Sequence, residues 1–149
     1  MRDRWIIVVV SLTALCGCVS ESTTLRTFPL EQVTVGPELS VRLEKNLERL
    51  QCELYQPPQV FEDKDWPGDF VGRTILGLTL DEAALHTDTE LLDTLIATLP
   101  NYLNAEGYLG PVYAPAINEQ QLSGHGWLLR GLCEYYRRTR DKRVLPIVR

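Results

Sequence analysis

The apolar residues of this chain fall into helical rows. Between residues 37 and 54, Leu39, Leu43, Leu47, Leu50 and Leu54 recur at spacings of three and four, with Arg42, Glu44, Lys45, Glu48 and Arg49 between them. That spacing puts the leucines on one side of an amphipathic helix. Gln56-Pro57-Pro58 stops it, since proline has no amide and biases the residue before it toward extended backbone. After a loop closing on Pro67-Gly68, a second helix is predicted over 69–86, carrying Phe70, Ile75, Leu76, Leu80, Ala83 and Ala84. Thr87 or Asp88 is placed to cap a third, which carries Leu91, Leu92, Leu95, Ile96, Leu99, Tyr102 and Leu103, and Pro100 within it predicts a kink or an early end. Residues 105–117 hold two Gly and two Pro and read as a loop. A fourth helix is predicted over 119–138, with Leu122, Leu128, Leu129, Leu132 and Tyr136 on one side. Asp141 is placed to cap a fifth, whose apolar face begins with Val144, Leu145, Ile147 and Val148. No strand alternation of comparable length occurs, so the predicted class is all-α.

A shift of 52 residues aligns Gly72 with Gly124, Leu76 with Leu128, Leu80 with Leu132, Thr87 with Thr139, Leu92 with Val144 and Leu95 with Ile147. Helix, short turn, helix recurs. Such αα-hairpin repeats bury their apolar faces only by stacking, in an open solenoid or a closed toroid. The last hairpin is only begun at Arg149, so residues 28–149 read as the N-terminal fragment of a longer architecture.

The first residues follow different rules. Arg2 and Arg4 precede an apolar stretch over 5–15, shorter than the ~20 residues of a spanning helix and fit for the core of an export signal. It ends in Leu15-Cys16-Gly17-Cys18, which resembles the bacterial lipobox. That resemblance makes 1–17 a lipoprotein signal, Cys18 the lipidated residue and the Ser/Thr/Glu-rich stretch 18–27 a tether, and it implies an exported, cell-envelope or periplasmic protein held to the membrane by a lipid anchor. The 44% hydrophobic and 23% charged composition suits one globular domain and excludes wholesale disorder. With 15 Lys+Arg against 20 Asp+Glu the net charge is −5, and the cations gather only near the end, at Arg130, Arg137, Arg138, Arg140, Lys142, Arg143 and Arg149. They read as a solvated helix end whose cations suit the C-terminal dipole, and nucleic acid is not an expected partner. Cys52 and Cys133 have no metal-site spacing; a disulfide between them is open, and buried free thiols are the simpler expectation.

Several motifs stand in one order: Pro29-Leu30-Glu31-Gln32-Val33 before Gly36-Pro37, then Asp69-Phe70-Val71-Gly72-Arg73, Glu106-Gly107-Tyr108-Leu109-Gly110, and Ser123-Gly124-His125-Gly126-Trp127-Leu128-Leu129 with Glu134-Tyr135-Tyr136 and Thr139. The set resembles the N-terminal part of the β-L-arabinofuranosidase-type glycoside hydrolases, family 127 and its relatives. The resemblance implies an (α/α)6 toroid, here incomplete, in which inner-helix N-termini and the loops before them face a sugar pocket. It implies an exported glycoside hydrolase acting on plant-type or other polysaccharide and oligosaccharide glycosides, with carbohydrate as partner. His125, between Gly124 and Gly126, matches the family's pocket-lining His, the small neighbours leaving room for a ligand. Arg73 stands at the equivalent place of the first hairpin, where many relatives have His; it suits hydroxyls or a carboxylate and leaves another glycoside, or another carbohydrate-active chemistry such as uronide hydrolysis, open. The family's Cys nucleophile, its zinc site and its carboxylic acid/base lie farther along than Arg149. Cys52 and Cys133 do not match them, so no catalytic residue and no cofactor is expected in this chain, and zinc belongs to the complete protein.

The residues themselves add weaker candidates. Trp66 and Tyr108, on loops, suit stacking on a sugar ring as well as anchoring those loops to the core. Asp69 and Glu119 are rim carboxylates or ordinary acids of a helix first turn. Glu106 is a loop acid, solvated or in contact with ligand. A competing reading is a non-catalytic helical-repeat lipoprotein that binds a glycan or a protein through the same rim.

Overall fold

The computed structural model describes residues 28–113 and 116–148; the stretch 1–17 expected to be an export signal, the expected lipidation site Cys18, the expected tether over 18–27 and Arg149 lie outside the described residues. Among the described residues four α-helices carry the fold: α1 (Pro37–Leu50), α2 (Asp69–Leu85), α3 (Glu90–Thr98) and α4 (Glu119–Thr139). Short 3-10 turns lie between them, and the only strand-like pairing among the described residues is an isolated bridge between Leu103 and Leu109. The class is all-α.

Glycine sets how the two long helices meet. A Cβ on Gly72 would lie 2.5 Å from the Trp127 carbonyl carbon and on top of the Leu128 amide, one on Gly131 would lie 2.5 Å from the Gly72 oxygen, and one on Gly68 would lie 3.1 Å from the Gly124 oxygen. Residue numbers rise together along this seam, so α2 and α4 run parallel, backbone against backbone. Ile75, Leu78, Leu128 and Leu132 close the core beside it, with Leu47 and Leu50 from α1 and Leu91, Leu92, Leu95 and Ile96 from α3. Burial of each such side chain stabilises the fold by roughly 1.5–3 kcal/mol.

An acid locks the far end of the pair. Glu82, buried, accepts from the Thr89 amide at 2.8 Å and hydroxyl at 2.7 Å, and pairs with Arg138 of α4 at 2.7 Å. One carboxylate therefore joins α2, the cap of α3 and the end of α4. Breaking that pair would leave a buried charge, at a cost of about 3 kcal/mol. A second lock joins α3 to the final turn: Asp141 caps the 3-10 helix Lys142–Val144, accepts from the Tyr135 hydroxyl at 2.8 Å and pairs with Arg143, which also reaches Asp93 at 2.6 Å. The Arg143 guanidinium holds the Asp141 carboxyl down at about 2.

The boundaries differ from the sequence pattern where local chemistry intervenes. α1 ends at Leu50, because the Gln51 and Cys52 amides turn back to the carbonyls of Glu48 and Arg49 and the Pro57-Pro58 pair demands extended backbone at Gln56; Leu54 is 56% exposed. The cap of α3 is Thr89 rather than Thr87 or Asp88, since His86 in the left-handed region sends the Thr87 amide back to Glu82. α3 ends at Thr98, and Pro100 opens a 3-10 turn, Leu99–Tyr102. The glycine seam rotates α4, so its buried row is Gln121, Gly124, Leu128, Gly131, Leu132 and Tyr135, while Leu122 and Leu129 face out. No fifth α-helix forms among the described residues; Pro146 lacks the amide that would bond the Lys142 carbonyl. Cys52 and Cys133, expected to be buried, are free and exposed.

Two stability measurements check this packing. Gly72→Ala is expected to lower stability by about 3 kcal/mol or more, because backbone and not a movable side chain fills the space, whereas Gly126→Ala, with open space around its Cβ, is expected to be neutral or stabilising by up to about 1 kcal/mol. Equal effects in chemical denaturation would contradict the seam. Asp81, buried on α2 and bonded by the Asn46 amide at 2.5 Å, has its carboxyl pushed up by desolvation. The folded state thus holds its proton to higher pH than the unfolded chain, and ionisation destabilises the fold as pH rises past 3.8 through the raised value. Asp81→Asn is therefore expected to raise the melting temperature at neutral pH, the gain over wild type shrinking as pH falls toward 3.8; a pH-independent difference in paired melts would refute it.

Candidate functional site

Because α2 and α4 are parallel, the loops that precede them share one end of the molecule. Pro67, just before α2, is wedged between Gly110 and Gly124: a Cβ on Gly110 would lie 2.6 Å from the Pro67 ring, and Gly124 abuts the carbonyls of Trp66 and Pro67. Gly68 (φ +92°) and Gly110 (φ +89°) adopt the left-handed backbone that lets both loops turn there.

Asn104 builds the second loop from within. Its amide donates to the Tyr108 carbonyl at 2.8 Å, its Nδ2 donates to the Gly110 carbonyl at 2.8 Å, and its Oδ1 accepts from the amides of Glu106 and Tyr108. From α4, Gln121 Nε2 donates to the Leu109 and Pro111 carbonyls, each at 2.9 Å. One turn on, His125 Nε2 lies 2.8 Å from the same Leu109 oxygen. A carbonyl only accepts, so Nε2 carries a proton, and in the tautomer protonated at Nε2 alone Nδ1 is an acceptor.

His125 is the corner between two hollows. One, of about 130 Å³, is lined by Leu103, Gly107, Tyr108, Leu128, Leu129 and Ile147. The other, of about 240 Å³, lies among Tyr108, Tyr113, Ile117, Asn118, Gln121 and Leu122. The Tyr108 ring stands 5.4 Å from the imidazole at 59°. An apolar floor, aromatic faces and a few fixed polar atoms suit a ligand with both C–H and O–H surface.

The other predicted residues are placed differently. Trp66 is at the same end, its amide bonded to Asp63 Oδ1 at 2.9 Å and its side chain exposed, but it lines neither hollow. Asp69 and Arg73 pair with each other at 2.8 Å on α2, and the Arg73 guanidinium lies over the Trp127 ring at 4.1 Å, outside both hollows. Glu119 is exposed in the first turn of α4, where Asn118 is the cap, and Glu106 is exposed on its loop. His125 sits nearly two turns into α4, away from the unpaired amides of the helix start. Only Gly126 leaves open space beside it; Gly124 is filled by the Trp66–Pro67 backbone. Among the described residues no group of three His, Cys, Asp or Glu is placed to hold a metal ion.

Sequence reasoning missed Asn104, Asn118, Gln121 and Tyr113. Asn118 and Gln121 have the spacing of a capping box, the one signal that marked them; Asn118 Oδ1 does accept from the Gln121 amide at 2.8 Å, but the Gln121 side chain turns to the loop instead of back to the cap. Comparison with known proteins gives no match to this chain, whether with family models, curated proteins or solved structures. Gln121→Met is expected to cost about 1–2 kcal/mol by removing the donor to the Pro111 carbonyl and leaving the Leu109 carbonyl to His125 alone, and to speed amide exchange across 104–111; unchanged exchange there would show that Gln121 does not hold the loop.

Proposed function

We propose that this chain is the N-terminal part of an exported, lipid-anchored glycoside hydrolase of the β-L-arabinofuranosidase type, and that its contribution is a glycan-binding rim at the loops before α2 and α4. The observation that carries the reading is the His125–Tyr108 corner: two rings, one free imidazole acceptor and two adjoining hollows, held by Gln121 and Asn104. His125 Nδ1 accepts from a sugar hydroxyl, and the Tyr108 ring packs against the C–H face. The hairpin-repeat, toroid-type architecture draws support from the parallel α2 and α4 and from the 52-residue echo at their turns. There Thr89 and Asp141 both cap, and Leu92 and Val144 are both buried. The echo weakens along the helices, where Leu76 and Leu80 are half-buried opposite the buried Leu128 and Leu132. Glycosidic bond cleavage, on this reading, belongs to residues outside those described.

The test is a titration of the full chain with arabino-, xylo- and gluco-oligosaccharides, followed by NMR at the His125 and Tyr108 rings. A saturable shift is expected with at least one glycan. His125→Gln, which can keep the donor to Leu109 but lacks the Nδ1 acceptor, is expected to weaken it by roughly tenfold, the worth of one hydrogen bond to a ligand. Binding of every active glycan at wild-type affinity by both His125→Gln and His125→Ala would remove the corner from the site. The exposed Leu122, Leu129 and Ile117, the last at 81%, favour a second reading in which the same end docks a protein; failure of all glycans together with association through these residues would select it.

A further inference from the structure

Arg73 stands where a second, separate site is assembled. Between α1 and α2 runs a groove of about 240 Å³, lined by Asn46, Arg49, Tyr55, Phe70, Arg73 and Thr74. The rings of Tyr55 and Phe70 lie 5.1 Å apart and make an aromatic wall. Arg49 is fixed beside it by the Tyr55 hydroxyl and by Asn46 Oδ1 at 2.9 Å. At the edge of the groove the Arg73 guanidinium is oriented twice, by Asp69 at Nε and by the indole of Trp127 beneath it at 4.1 Å. Its two Nη groups have no hydrogen-bond partner among the described residues. A planar guanidinium fork held in that way is matched by the two oxygens of a carboxylate.

Charge favours the same ligand. The charged residues that line the groove are Arg49 and Arg73, with Asp69 paired to Arg73, and Arg130, 5.3 Å from the Trp127 ring, adds a further cation beside the Arg73 guanidinium's indole support. We propose that the α1–α2 groove binds a small ring-borne carboxylate, a sugar acid or an aromatic acid, with the carboxylate on the Arg73 Nη pair and the ring against Tyr55 and Phe70. The site is distinct from the His125 corner, and its occupation does not depend on that corner binding a glycan.

The experiment titrates the full chain, labelled for the Trp127 indole N–H, with sodium glucuronate and sodium benzoate, using glucose and benzyl alcohol as uncharged counterparts. At least one acid is expected to give a saturable shift at Trp127, with its uncharged counterpart weaker by about tenfold or more, and the acid that binds identifies the ring. Arg73→Gln is expected to weaken binding by roughly tenfold to a hundredfold. Arg73→Lys, which keeps the charge without the fork, is also expected to be weaker than wild type, whereas Arg42→Gln, at an exposed α1 position two turns before Arg49 that does not line the groove, and His125→Gln leave binding unchanged. Melting curves confirm that each variant is folded. No saturable shift with either acid, equal binding of the uncharged compounds, or wild-type affinity in both Arg73 variants would overturn the proposal.

Discussion

Everything described here depends on the direct backbone contact between α2 and α4. Gly72 and Gly131 remove the side chains that would hold the helices apart, and Gly68 and Gly124 do the same at their N-terminal end. Close approach carries a cost, since glycine in a helix is worth roughly 1 kcal/mol less than alanine. The core that closes around the seam, from Leu47 to Val144, more than offsets it. Glu82 and Arg138 then fix the opposite end, so the pair is registered at both ends and in the middle.

The candidate site is a consequence of that registration. Once Gly124 receives the Trp66–Pro67 carbonyls, Pro67 is placed to receive Gly110, and the loop carrying Tyr108 is brought over α4. Gln121 and His125, one turn apart on the same face, bond the same Leu109 carbonyl and hold the loop there. The imidazole is thus a fastener through Nε2, and its Nδ1 has no hydrogen-bond partner among the described residues. Phe61 and Tyr102, stacked 4.0 Å apart, brace the two loops behind it.

The helices were largely legible because leucine spacing reports which face is buried, and Asp69 and Glu119 do begin α2 and α4. What the pattern misplaced traces to forces that periodicity does not record. Leu122 and Leu129 belong by spacing to an apolar face, yet glycine and not leucine chose the face of α4 that packs. Gly124 and Gly126 look alike in sequence, but one is filled by backbone and the other faces open space. Of the candidate residues, His125 and Tyr108 lie ring to ring, while Arg73 and Asp69, expected at the same rim, pair with each other and line neither hollow. Gln121 and Asn104 passed unnoticed because a buried amide holding a loop has no signature until the loop it bonds is known.

The central claim is that the loop end shared by α2 and α4 is where this chain meets its ligand. Hydrogen exchange of the full chain, with and without a saturating arabino-, xylo- or gluco-oligosaccharide, tests it most directly. The account predicts slower exchange confined to 104–113 and the first turns of α4 through residue 129, with the Glu82–Arg138 end unchanged. Protection confined to α3 and the 138–148 end, or no protection with any glycan, would contradict it.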